Sequence, residues 1–298
     1  MSKSNSPWME KGWYFEANSA SEVMTAIARV GAHGANHRFA WRGLANCNYM
    51  LTSSLHRKLE EEGREVTEEL LREREKSILQ KARDWGLGVE GGSMVDDLQL
   101  LANLQHFGVP TRLIDVTSNP MTALWFATQP LEDRPRKHEP NGVLIALNID
   151  SWYNEDNAKG DVTVFKTVGD PGKTKGDLGA QLQSGLDLEK PFIVSSSLPN
   201  ARLQAQEGYF VACKHPNKST APFVSLNIEV RKTSPDKTRQ LLTEAKGRGL
   251  PQVIPFVAIF IRSKKVKEQL RSYLRNTFSR SAKTLFPDYQ GFLDYGEW

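Results

Sequence analysis

Cysteine is scarce in this chain. Only Cys47 and Cys213 occur among 298 residues, with no CxxC pair and no Cys/His ligand spacing. That excludes a disulfide framework or a zinc ribbon and makes a reducing cytoplasm the expected compartment. Long apolar runs are missing too: none approaches the roughly 18 residues of a membrane span. The leading MSKSNSPWMEKGW has no apolar h-region, so neither a membrane nor export is expected. Acidic clusters at metal-ligand spacing are lacking, so no metal is expected and a metal-dependent nuclease is not indicated. No repeat, low-complexity segment or Pro/Ser/Gly-rich linker divides the chain, and residues 1–298 read as one elaborated domain. Charge of one sign is modest, with 39 Lys and Arg against 35 Asp and Glu, a net +4 and a pI near 8.9. Spread along the chain, that surplus permits a nucleic-acid partner without requiring one.

What is there is a helix-first, strand-later pattern. SASEVMTAIARVG predicts a helix with Val23, Ile27 and Val30 on one face and Gly31 at its end. RFAWRG reads as a short strand, and Ser54 to Trp85 as a charged helical region with Leu70, Leu71, Ile78 and Leu79 inward. MVDDLQLLANLQHFG predicts a helix that Gly108 stops. A strand TRLIDVT and a helix SNPMTALWFATQ follow, the latter with Pro120 in its first turn. From Gly142 the chain reads as mostly β: GVLIALNI, FIVSSS, ARLQAQEGYFVAC, FVSLNIEV and VIPFVAIFIR. NEDNAKGD and GDPGKTKGDLGAQLQSG read as polar loops, and KKVKEQLRSYLRNTF as a closing helix with Val266, Leu270, Leu274 and Phe278 at helical spacing. The fold class is α+β, with helices on a mostly antiparallel sheet.

Two stretches carry the chemistry. FAWRG places Arg42 in an apolar strand, where an unpaired cation is costly to desolvate. LQHFGVPTRLIDVTSNPMTALWFAT threads polar groups through an apolar run. These two, with ARLQAQEGYF and a late LFPDYQG, resemble the FRG domain, and the resemblance runs from about residue 39 to 291. A weaker similarity is to ADP-ribosyltransferases of the Arg-Ser-Glu class. WRG matches their first block at Arg42, DVTSNPMTALWF their second with Asp115-Val116-Thr117 in place of Ser-Thr-Ser, and QAQE their third.

That similarity implies a split sheet, NAD as substrate, and transfer to a macromolecule, with nucleic acid slightly favoured, as in a bacterial toxin or phage-defence effector. Breaking the nicotinamide–ribose bond builds positive charge on the ribose, so such a site needs a phosphate grip and a carboxylate. Arg42 would supply a fork that Lys cannot copy, and Gly43 would let ligand approach the backbone. His106 and Thr117 would order the nicotinamide ribose, with Thr111, Arg112, Gln204 and Gln206 also lining the cofactor site. The acid is either Asp115 or Glu207, because Gln206 stands where the catalytic Glu is expected. On a regular strand Arg202, Gln204 and Gln206 would share one face and Glu207 the other. Plainer readings stay open: Arg42 paired with Asp115 for structure, His106 at a helix end, Arg112 neutralising a carboxylate. So does a non-catalytic binding module for a nucleotide or phage component. The acceptor and oligomeric state are not read from sequence.

Overall fold

The computed structural model describes residues 6–33, 37–90, 92–131, 140–150, 164–166, 179–188, 190–196, 199–243 and 254–296. Its strands are β1 (Tyr14–Ala17), β2 (Phe39–Leu44), β3 (Val89–Glu90), β4 (Ser93–Met94), β5 (Ile114–Thr117), β6 (Gly142–Asn148), β7 (Val164–Lys166), β8 (Phe192–Ser195), β9 (Gly208–Ala212) and β10 (Phe256–Ile261). The helices are α1 (Ala20–His33), α2 (Ser54–Glu61), α3 (Glu68–Asp84), α4 (Asp97–His106), α5 (Pro120–Thr128), α6 (Ala180–Asp187), α7 (Ala201–Ala205), α8 (Pro235–Thr243), α9 (Lys264–Phe278), α10 (Ala282–Leu285) and α11 (Tyr289–Tyr295).

Eight strands form one sheet in the order β1-β10-β6-β2-β5-β9-β8-β7. The interior pairings are antiparallel; β1 joins β10, and β7 joins β8, in parallel. The centre of one half is β6 against β10, GVLIALN against FVAIFI, with every residue buried. Continuous apolar strands of this kind are covered on both faces. The sheet nearly parts between β2 and β5, which share a single residue pair, Trp41 with Thr117. Two apolar clusters cover the sheet, and the larger spans both halves, taking in Val116, Ile193 and Val211 of the β5-β9-β8 side. The β10-β6-β2 side joins α1, α5 and α9 through residues such as Val23, Leu124, Ile259 and Leu270. The β9-β8 side packs Phe192 and Phe210 against Leu79, Leu98, Leu101 and Leu182 of α3, α4 and α6.

Side-chain caps set several helix starts. Thr67 accepts from the Leu70 amide, Asp96 from Gln99, and Asn119 from Met121 ahead of a helix with Pro120 at its first position. Gly108 adopts φ +83 just beyond α4, the left-handed stop expected there.

Several expectations are corrected. ARLQAQEGYFVAC is not one strand: residues 201–205 form α7, Gln206 caps it, and Glu207 takes φ +49 before β9 begins at Gly208. Asn200 accepts from the Leu203 amide at 2.8 Å, and that cap favours a helical turn over extension. The shared face of Arg202, Gln204 and Gln206 therefore does not exist. FVSLNIEV forms no strand among the described residues, only an isolated bridge from Thr220 to Phe223. Within GDPGKTKGDLGAQLQSG, Ala180–Asp187 is helical, while residues 169–178 and all of NEDNAKGD lie outside the described residues. The charged region from Ser54 divides into α2 and α3 around Gly63, which has φ +72. α1 continues past Gly31 to His33, and β1, α8, α10 and α11 went unanticipated.

Candidate functional site

Where β2 and β5 diverge, their backbones leave a cleft of about 260 Å³. Its walls come from Trp41, Arg42 and Gly43 of β2, Asp115 to Thr117 of β5, Gln105 and His106 at the end of α4, and Phe126 of α5. Asn200, Arg202, Leu203 and Gln206 from the α7 turn, Phe210 from β9 and Phe286 close the rest. Arg42, Asp115 and Gln206 are thus brought together from distant parts of the sequence.

Arg42 and Asp115 face each other across the parting. The Arg42 Nη1 donates to the Asp115 backbone carbonyl and lies 3.4 Å from its Oδ2. The Arg42 side chain is 27% exposed and that of Asp115 59%. At such exposure the pair by itself contributes little stability. The Nε of Arg42 is buried and has no hydrogen-bond partner among the described residues. An unmet charged donor is costly to bury unless something else meets it. Arg57 stands nearby; burial and then the charge of Arg42 lower its pKa, against the pull of Glu61, Asp115 and Glu60.

Gln105 orients the acid. Its Nε2 donates to Asp115 Oδ2 at 3.0 Å and to the Leu113 carbonyl at 3.1 Å, while its Oε1 accepts from the Thr111 hydroxyl. The amide is therefore locked in one orientation. Sequence reading passed over Gln105. The signal was available: a Gln in the last turn of a helix that leads straight into the strand bearing Asp115.

Gln206 lines the cleft but caps α7 and donates Nε2 to the Leu285 carbonyl at 3.1 Å. Thr117, buried, donates to the Gln206 carbonyl at 2.7 Å, and its oxygen accepts the Asn119 amide at 3.0 Å. It fastens β5 to the α7 turn. Glu207 is directed away from the cleft, where its Oε1 accepts from Asn119 Nδ2 at 2.8 Å and from Arg280. With φ +49 the backbone re-aims Glu207 into an ion pair. Asp115 is left as the acid at the cleft.

At the other wall His106 Nε2 sits 3.8 Å from Asp288 Oδ2, and Arg202 grips Asp288 with two bonds of 2.8 Å. Arg202 also lies over the Phe286 ring, 4.9 Å from its centroid. Burial, then the Arg202 charge, pulls the His106 pKa down. Hydrogen bonding to Arg202 pulls Asp288 down. Arg202 and Asp288 were not singled out as site residues: the strand reading of 201–206 put Arg202 on the face of Gln204 and Gln206 without a role of its own, and nothing placed Asp288.

Three expected ligand-binding residues lie elsewhere. Arg112 is 3% exposed and bonded to Glu75 through Nε at 2.8 Å and to Glu68 through Nη1 at 3.2 Å. Burial works against its charge, but the two carboxylates outweigh it and its pKa is raised. Thr111 is buried, tied to Ser54 and Gln105. Gln204 is exposed and donates to the Pro199 carbonyl at 2.9 Å. Gly43 touches the cleft, yet a Cβ there would fall 1.8 Å from the Ala123 carbonyl oxygen. Its smallness admits α5, not a ligand.

A mixed helix-and-sheet protein with a mostly antiparallel open sheet, whose cleft, apolar over most of its lining with a few charged and polar side chains, opens where that sheet parts, is the class so defined. Residues 37–136, from just before β2 to beyond α5, match the family model of the FRG domain. The matched span contains Arg42, Gln105, His106 and Asp115 but not the α7 turn or α10–α11. No curated protein and no solved structure matches this chain. Among the described residues no helix is long and apolar enough to cross a membrane.

Proposed function

We propose that the cleft binds NAD and transfers its ADP-ribosyl group to a macromolecule, the kind of activity a toxin or phage-defence effector would use. The observation that carries this reading is Arg42 facing Asp115 at the parting of the sheet, with a buried Nε that no described residue satisfies. A guanidinium so placed suits a pyrophosphate oxygen, and Asp115, steadied by Gln105, stands across from it. The cleft's volume lies just below the about 300–1,000 Å³ typical of small-molecule sites. A nucleotide-sized part of NAD would be enclosed and the remainder would cross the mouth.

In the reaction the bond from ribose C1′ to the nicotinamide nitrogen breaks, and nicotinamide leaves with the electron pair. The Asp115 carboxylate faces the cationic ribose. An acceptor oxygen or nitrogen then bonds to C1′ and gives up its proton. Asp115 has the stronger claim over Glu207 because the latter is engaged by Arg280 and Asn119.

Incubation of the purified protein with labelled NAD and separate pools of DNA, RNA and protein tests this. Asp115→Asn should abolish transfer and leave NAD binding largely intact, since the charge matters mainly in the transition state. The second reading, a non-catalytic binding module, is favoured by Glu207 turning away from the cleft. NAD binding with neither transfer nor hydrolysis by the wild-type protein would establish it instead.

A further inference from the structure

We propose that the surface running from the C-terminal end of α9 across α10 and α11 to the cleft mouth docks single-stranded nucleic acid, with Phe107 and Tyr289 as base-stacking platforms. The charge surplus of the chain is not evenly spread. Residues 262–283 hold eight Lys or Arg and one carboxylate, Glu268, whereas the whole chain is only +4, so the rest is net negative. On the part of this segment nearest the cleft, Arg275 and Lys283 are the exposed cations; Lys267 is buried, Arg280 is held by the Ala205 carbonyl and Glu207, and α11 adds Asp288, held by Arg202, and the exposed Asp294. A polyanion is the complement of such a stripe.

Aromatic rings interleave with the cations. Phe107 is 81% exposed and Tyr289 91%. They follow directly on His106, which lines the cleft, and Asp288, whose Oδ2 lies 3.8 Å from the His106 Nε2, so both rings leave the backbone beside the cleft wall. Tyr273, Phe278 and Phe292 continue the exposed aromatic series along α9 and α11. Rings left in water beside cations suit unstacked bases, whose faces a duplex hides. Each stacked base is worth roughly fivefold to 150-fold in affinity. A strand on these platforms would pass the opening of the cleft, where an acceptor for ADP-ribose must sit. In that respect the inference rests on the proposed transfer, but binding of the strand is measured without NAD.

The test is fluorescence anisotropy of a labelled mixed-sequence oligonucleotide of roughly 16 nucleotides, as single-stranded DNA, single-stranded RNA and duplex. Binding of the single strands that weakens with salt is expected. Phe107→Ala with Tyr289→Ala should lower that affinity about tenfold or more while NAD affinity and melting temperature stay unchanged. Arg275→Glu with Lys283→Glu should flatten the salt dependence, and this second variant does not rely on the aromatic one folding. An absence of binding at low salt, duplex bound as tightly as single strand, or unchanged affinity in the aromatic variant would overturn the proposal. So would a loss confined to NAD, which would assign the rings to the dinucleotide's own base. Strand binding without any transfer from NAD would uphold the surface and remove the transferase reading. Transfer to protein without strand binding would do the reverse.

Discussion

Arg42 and Arg112 both lie within the FRG-domain match and both face carboxylates, yet they do opposite things. Arg112 is enclosed on the helical side, with Glu75 fully buried, Glu68 nearly so, and the Cys213 carbonyl 3.3 Å from Nη1. Glu68 also takes Arg72 at 2.6 Å and the His215 amide at 2.7 Å. That network joins α3, the segment just before β5 and the chain after β9, and its charged side chains Arg112, Glu75 and Glu68 are buried. Arg42 has Asp115, more than half in solvent, as its partner among the described residues, and it lines the cleft with its Nε buried and unmet. A cation surrounded by its own protein's acceptors holds a fold together; one left short of acceptors beside a cavity is available to a ligand.

The largest effect should come from breaking the closed network. Arg112→Met leaves two carboxylates buried without their cation and should cost about 3–5 kcal/mol, read by urea unfolding. Arg42→Met should cost below about 1 kcal/mol, as expected for an exposed pair. Comparable losses in the two variants would erase the contrast. Next in size, Arg42→Lys keeps the charge but loses the fork, and calorimetry should show NAD binding weakened about tenfold. Equal affinity in a folded Lys variant would mean that Arg42 grips no phosphate. Glu207→Gln, which loosens only the surface contact with Arg280, should shift stability by less than about 1 kcal/mol and leave transfer in place. Abolished transfer there, with the melt unchanged, would move the acid from Asp115 to Glu207.

Elements with strong periodicity were legible from sequence. The helix over MVDDLQLLANLQHFG, its Gly108 stop, the IDVT strand and the Pro120 helix start all appear where capping and turn chemistry place them. The convergence of Arg42 with Asp115 was legible because each was placed at the end of a neighbouring strand of one sheet. The α7 turn was not. ARLQAQ offers no strong helical period in five residues, and the Asn200 cap decides its conformation. Misreading it as strand gave Gln204 the same standing in the cleft as Arg202 and Gln206, and of the three only those two line it. Arg112 shows a second limit: the pattern TRLID places an Arg beside the site, but only three-dimensional packing reveals Glu75, 37 residues earlier, as its partner. The local basic stripe at 262–283 was in the sequence all along and was obscured by a mild net charge.

The smallest effect tests the cleft wall by pH. His106 ends α4, where the helix C-terminus favours a charged imidazole, and Asp288 and Asp115 pull the same way. Burial, helped by the Arg202 charge, outweighs them and lowers its pKa. Between that lowered value and the unfolded value of about 6.5, the unfolded chain binds more protons than the folded one. Stability therefore falls as pH drops below about 6.5 and is unaffected by His106 well above it. His215, beside the Arg112 network, is lowered in the same direction by burial and by His56, so the wild-type curve contains both. Asp288, held down by Arg202, loses its contribution only as pH falls through about 4 and below, outside this window. In melts followed from pH 7.5 to 5, His106→Gln should be less acid-sensitive than the wild type without losing all dependence, the remainder belonging to His215. Identical slopes in the two proteins would show that the His106 side chain is not held neutral against the cleft wall, and the contact between α4 and Asp288 would then have to be looser than its 3.8 Å separation indicates.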